Sequence, residues 1–125
     1  MGSKLLSEEI KFNYKIWLST ADDKGILGDG KWQILKAIEQ HGSLVAATKA
    51  LGITYRRTWG DLKKIEEMVG FAILDKERGG KDGGKSSLTP EGKRLVEAFD
   101  QFHVKMDQHM EAAFIEFRKY VNAEK

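Results

Sequence analysis

The 125-residue chain contains no cysteine, so disulfide frameworks, thiolate zinc sites and cysteine nucleophiles are excluded together. A run of about 18 apolar residues is also missing. The N-terminus, Met1 to Lys4, leads into charged Glu8, Glu9 and Lys11 instead of a signal-peptide core. These absences give the expectation of a soluble cytoplasmic protein with no membrane partner. His103 and His109 are six apart, on different faces of any helix, and His41 is remote from both, so no metal site is expected. The carboxylates form no isolated pair in an apolar setting, so no catalytic acid and base can be named and the expectation is a non-enzyme without a cofactor.

What is present is aromatic and locally basic. Three tryptophans, six phenylalanines and three tyrosines bury enough area to offset the entropy of ordering a single small domain, residues 1–125. The chain's 21 basic and 19 acidic residues nearly cancel, but unevenly. Residues 49–94 hold eleven basic and seven acidic residues, whereas residues 95–125 hold four and six. The positive charge is therefore concentrated in the middle of the chain.

Tyr14, Ile16 and Leu18 alternate with Lys15, Trp17 and Ser19 before the turn Asp22-Asp23-Lys24-Gly25 and the apolar return Ile26-Leu27, which predicts a β-hairpin over 12–28. Three helices are predicted within 30–70. The first, with Asp29 as expected N-cap, carries Trp32, Ile34, Leu35 and Ile38 and ends near Gly42. Ser43 caps a short second helix with Leu44, Ala47 and Leu51 in one stripe, which Gly52 terminates. Thr54 is the expected cap of a third, in which Trp59, Leu62, Ile65 and Val69 recur until Gly70 while Arg56, Arg57, Lys63 and Lys64 stand on the other face. A hairpin over 71–88 follows, with strands beginning at Phe71 and resuming at Lys85, and Thr89-Pro90-Glu91 opens a last helix over 90–122.

Two short helices joined at Leu51-Gly52-Ile53-Thr54 form a helix-turn-helix pattern, whose second helix enters the major groove by its N-terminal end. Thr54, Tyr55, Arg56 and Arg57 occupy that end, and Ser43 stands at the start of the preceding helix. Arginine suits base readout because its planar fork makes two hydrogen bonds to guanine O6 and N7. The glycine-rich stretch Gly79-Gly80-Lys81-Asp82-Gly83-Gly84, with Arg78, Lys81 and Lys85, reads as a wing whose lysines neutralise phosphates. In the last helix Leu95, Phe99, Phe102, Met106, Met110, Ala113, Phe117 and Val121 fall at three- and four-residue steps, close to a coiled-coil seam, with the six large side chains from Leu95 to Phe117 as the expected dimer contacts. A helix about 45 Å long cannot bury that whole stripe on so small a domain, which predicts a homodimer.

The run Gly42-Ser43-Leu44-Val45-Ala46-Ala47, then Leu51 to Trp59, the multi-glycine wing, and Leu88-Thr89-Pro90-Glu91-Gly92 together resemble the DNA-binding domain of the bacterial ModE-type molybdate-responsive regulators, over residues 12–100. The resemblance implies an α+β, mainly α fold: a winged helix-turn-helix with an N-terminal β-hairpin and a long C-terminal dimerisation helix. It also implies sequence-specific binding of double-stranded DNA in transcription regulation, with residues 54–57 at the DNA. Members of that family sense molybdate through a separate C-terminal domain, which lies outside these 125 residues, so oxyanion sensing is not expected of them and no motif identifies another effector.

Two rival readings share these segments. Gly79 to Ser86 satisfies the literal P-loop pattern G-x-x-x-x-G-K-S, but a P-loop requires a helix to begin at its Lys-Ser, and Pro90 opens a helix several residues later. A protein-interaction module using the long amphipathic helix accounts for the stripe but not for the basic residues at 56, 57, 81 and 85.

Overall fold

The computed structural model describes residues 6–75 and 86–123. In chain order the elements are β1 (Trp17–Ser19), β2 (Gly25–Gly28), α1 (Asp29–His41), α2 (Leu44–Leu51), α3 (Tyr55–Val69), β3 (Leu74–Asp75), β4 (Ser87–Leu88) and α4 (Pro90–Asn122). The strands form two antiparallel pairs, β1 with β2 and β3 with β4, the latter in the register Leu74 to Leu88 and Asp75 to Ser87. Three helices followed by a β3–β4 wing and a long helix make this a winged helix-turn-helix.

Each of the first three helices is stopped by a glycine in the left-handed region, Gly42, Gly52 and Gly70, as their positions after the last periodic residue predict. Starts were less regular. Ser43 caps α2 through its hydroxyl, which accepts from the Ala46 N–H at 3.1 Å. Asp29 does not cap α1: Gly28 is the N-cap residue, Asp29 lies inside the first turn, and its carboxylate is drawn to His103 Nε2 on α4 at 3.2 Å. Thr54 occupies the N-cap position of α3, but its side chain makes no capping bond.

The core gathers Leu35 and Ile38 of α1, Leu44 and Ala47 of α2, Leu62 and Ile65 of α3, and Val96 and Phe99 of α4 around Ile73 and Leu88. Burying side chains of this size contributes about 1.5–3 kcal/mol each. Trp32 locks α1 to α4: its indole N–H donates to Asp100 at 2.6 Å, its edge meets Phe99, and its face stacks on His103. Lys36 lies over the same indole and reaches Asp100 at 3.7 Å.

The wing and α4 meet through Leu88-Thr89-Pro90-Glu91-Gly92. The Thr89 backbone N–H donates to the Ile73 carbonyl at 2.9 Å. Its hydroxyl donates to the Ala72 carbonyl at 2.6 Å and accepts from the Gly92 N–H at 2.9 Å, so one side chain caps α4 and ties it to the strand before the wing. Pro90 at the first helical turn gives up no intrahelical bond. Gly92 is required by distance, because a Cβ there would stand 2.6 Å from the Ile73 carbonyl oxygen.

Strand pairing in the first hairpin is confined to Trp17–Ser19 and Gly25–Gly28, shorter than the 12–28 span of the expectation. The preceding residues instead run along α4 as an extended arm. Leu6 donates its N–H to the Asn122 side-chain oxygen and accepts from the Asn122 amide, Arg118 donates to the Ile10 carbonyl, and Phe12 stacks on Phe114. Tyr14 donates its hydroxyl to Asp107. Burial and that carboxylate together push the phenol up to about 12.

Two glycines give opposite expectations for alanine. Gly92→Ala forces the Ile73 carbonyl aside and should cost about 1–3 kcal/mol, as overpacking does. Gly60, in the middle of α3, has nothing within 4 Å of the added carbon, so Gly60→Ala should stabilise by up to about 1 kcal/mol through helix propensity. Urea denaturation of both variants checks the two signs; equal shifts in the same direction would contradict this packing.

Candidate nucleic-acid interface

The turn Gly52 to Thr54 sets α3 across α2. Gly52 takes φ 68, and the Ile53 N–H returns to the Thr48 carbonyl at 3.0 Å, so the chain reverses within three residues. Thr58 then fixes the first turn of α3: it is buried, and both its N–H and its hydroxyl donate to the Thr54 carbonyl, at 3.1 and 2.8 Å. Leu62 and Ile65 anchor the core side of the helix.

This anchoring leaves Thr54, Tyr55, Arg56 and Arg57 exposed together at the leading end of α3. Neither arginine is paired with a carboxylate among the described residues, and the Thr54 hydroxyl is uncommitted there. Lys63, nearly two turns further on, is not equally available: it bonds Glu66 at 3.1 Å and lies over the Trp59 ring. The sequence-predicted residues 54–57 are thus brought to one end of one helix.

Ser43 is placed differently. It is buried, its hydroxyl is spent on the cap of α2, and the neighbouring Leu44 N–H donates to the Ser86 carbonyl at 2.7 Å. That bond joins the start of α2 to the base of the wing. Arg78, Lys81 and Lys85 lie outside the described residues. Ser87–Leu88 is strand and α4 begins only at Pro90, so no helix starts at the position a P-loop demands.

The wing is aimed by Glu66, which sequence reasoning missed. Its carboxylate accepts from the N–H groups of Ile73 and Leu74 at 2.8 and 2.9 Å and from Lys63, so the last turn of α3 holds the root of β3. A glutamate seven and eight residues before its partners has no sequence signature except that it stands where a solvent-facing charge would otherwise do. Burial pushes this carboxyl up, but the two backbone donors and Lys63 outweigh burial and hold it below its ordinary value of 4.5.

The expected dimer residues divide. Phe99, 3% exposed, belongs to the chain's own core and so is not open to a partner, while Leu95 is partly buried against that core. Their spacing is that of the seam, but the first three turns of α4 lie on the domain itself. Met110 borders a hollow with Phe12 of the arm and Phe114. Phe102 and Phe117 remain uncovered at 42% and 55%, with Met106 half-buried between them.

A helix-turn-helix with a basic exposed end and a wing braced beside it defines the class: the DNA-binding module of a transcriptional regulator. Residues 30–93 match the bacterial regulatory helix-turn-helix proteins of the lysR family, and the chain belongs to that family. It is also similar to the molybdenum-pterin-binding protein MopB of Rhodobacter capsulatus, 30% identical over 73 residues, which are 58% of this chain and 27% of that protein. Transcriptional regulator ModE of Haemophilus influenzae is 30% identical over 84 residues, 61% of this chain and 33% of the relative. The chain therefore spans about a third or less of these relatives' length. In fold it is similar to Bordetella bronchiseptica BpsR, whose DNA binding is regulated by 6-hydroxynicotinic acid, with TM-score 0.50, 23% identity and coverage of 83% of this chain and 80% of that one. No helix among the described residues is long and apolar enough to cross a membrane.

Glu66 makes the wing's seating sensitive to acid. Because the folded chain lowers its pKa, its contribution is complete above the unfolded value near 4.5 and is lost as pH falls through the lower folded value. Denaturation midpoints of wild type should therefore fall between about pH 5 and pH 3 more steeply than those of Glu66→Gln, which has no charge to lose. Parallel curves would remove Glu66 from this role.

Proposed function

We propose that the chain binds double-stranded DNA sequence-specifically as a homodimer and regulates transcription in the bacterial cytoplasm, as the DNA-reading part of a ModE-like regulator. The observation that carries this reading is the set of unpaired groups at the leading end of α3: Thr54, Tyr55, Arg56 and Arg57 are exposed together while the opposite side of the helix is sunk in the core. Arginines at that position read guanine edges in the major groove, and Thr54 bonds a phosphate or a base. The uncapped N–H groups of α3 add a favourable potential for a backbone phosphate. Arg78, Lys81 and Lys85 of the wing supply sequence-independent attraction to the phosphates. Ser43 serves this reading through the cap of α2, which sets the supporting helix. No catalytic step is part of it.

Dimerisation uses the outer strip of α4. Phe102, Met106, Ala113, Phe117 and Tyr120 follow one another at steps that bring them onto one side of the helix, and Ala113 and Phe117 also border the hollow beside Phe12 of the arm. Tyr120 is 86% exposed and Phe117 more than half exposed. A second α4 laid along this strip covers them and sets two α3 helices at a fixed spacing for two half-sites.

Two measurements test these points. Arg56→Ala and Arg57→Ala should each lose about 1–3 kcal/mol on a specific duplex and little on a scrambled one. Lys81→Ala and Lys85→Ala should weaken both duplexes alike and flatten the log–log salt dependence by about 0.9 each. If both arginine variants weaken the two duplexes equally, α3 does not read bases. For assembly, sedimentation equilibrium at micromolar concentration should give a dimer for wild type and a monomer for Phe102→Glu combined with Phe117→Glu. A wild-type monomer at that concentration would rule out this interface.

A further inference from the structure

Between the first hairpin and the rear of α3 lies an open cavity of about 340 Å³, within the range of small-ligand sites. Its floor is apolar, from Ile26, Leu27, Ile65 and Met68. Its rim carries Trp17, which is 67% exposed although an unfilled apolar wall lies beside it. Gly28 faces it across the hairpin: a Cβ at Gly28 would stand 3.0 Å from the Trp17 Cβ, a tight contact, so glycine favours this close approach of the two strands. A large exposed aromatic surface beside an apolar hollow is a ligand platform.

The charge in the cavity is unbalanced. Lys31 and Lys64 both line it, against one carboxylate, Asp61, which reaches Lys31 only loosely at 3.9 Å. Lys64 is paired with no carboxylate among the described residues. α1 also begins here, with Gly28 offering no side-chain cap and Asp29 turned away to His103, so its first N–H groups reinforce the positive potential. An aromatic rim, an apolar floor and one surplus cation together fit one kind of molecule.

We propose that this groove binds a small planar aromatic monoanion, its ring against Trp17 and Met68 and its carboxylate toward Lys64 and Lys31. The site is separate from the proposed DNA contacts, yet it rests on the same helix. Arg57, Asp61, Lys64 and Met68 succeed one another at three- and four-residue steps, so a bound ligand leans on the stripe that has Arg57 at its leading end.

Benzoate is the probe, titrated into the full ¹⁵N-labelled chain beside benzamide, which keeps the ring but not the charge, and acetate, which keeps only the charge. The expected result is a saturable shift of the Trp17 indole resonance and of the Gly28, Gly30 and Lys31 amides with benzoate. Benzamide should bind about threefold or more weakly, the worth of a partly exposed ion pair, and acetate should not saturate. Trp17→Ala, a change at an exposed position whose fold a thermal melt verifies, should abolish saturation as followed by the three amides. Lys64→Met should reduce benzoate to the level of benzamide. The proposal is overturned if benzoate gives no saturable shift, if Trp17→Ala leaves the titration unchanged, or if duplex DNA alone moves these resonances.

Discussion

Thr89 joins two segments that the chain would otherwise leave independent, and the placing of the wing's root against α4 depends on that junction. Its hydroxyl donates to the Ala72 carbonyl while accepting from Gly92, and its N–H meets the Ile73 carbonyl. A helix start normally satisfies its own orphan donors; here the same atom also fixes the direction from which the wing leaves. Glu66 completes the brace from the other side, binding the next two backbone N–H groups of the same strand. Recognition helix, wing and long helix are therefore held by three consecutive residues, 72–74, of which only Ile73 and Leu74 contribute much to the core.

The winged fold itself was legible because it rests on local chemistry. Glycines at 42, 52 and 70 follow the last apolar residue of each helix, and Ser43 and Thr89 precede the first; such signals act within four residues of themselves. Where the reading missed, a distant partner had intervened. Asp29 stands at a helix start as a cap would, but His103, 74 residues away, draws its carboxylate aside. The alternation from Tyr14 to Ser19 looks like strand, yet the half before Trp17 finds its partners on α4, and nothing in residues 6–16 reveals that before the fold exists. Phe99 and Phe102, both in the predicted seam, also differ: the stripe is continuous in sequence, but Phe99 is sunk in the core while Phe102 is left exposed.

That residues 54–57 stand at the start of α3 follows from the turn alone. Their availability could not be read, since it depends on which neighbours lack carboxylates in reach. Lys63 illustrates the difference: it is as basic as Arg57, but Glu66 and Trp59 occupy it. A count of positive charges along the helix therefore overstates how many are available to a ligand.

The pair of hydrogen bonds between Leu6 and the Asn122 carboxamide closes the described chain almost end to end. Asn122 there behaves as a piece of strand backbone, offering a donor and an acceptor side by side. It stands 23 residues beyond Phe99, about 35 Å along the helix from the last side chain buried in the core. Leu6 and Asn122 thus lie side by side near the far end of the long helix. A short linker between these two positions would let the chain be opened elsewhere with its topology preserved.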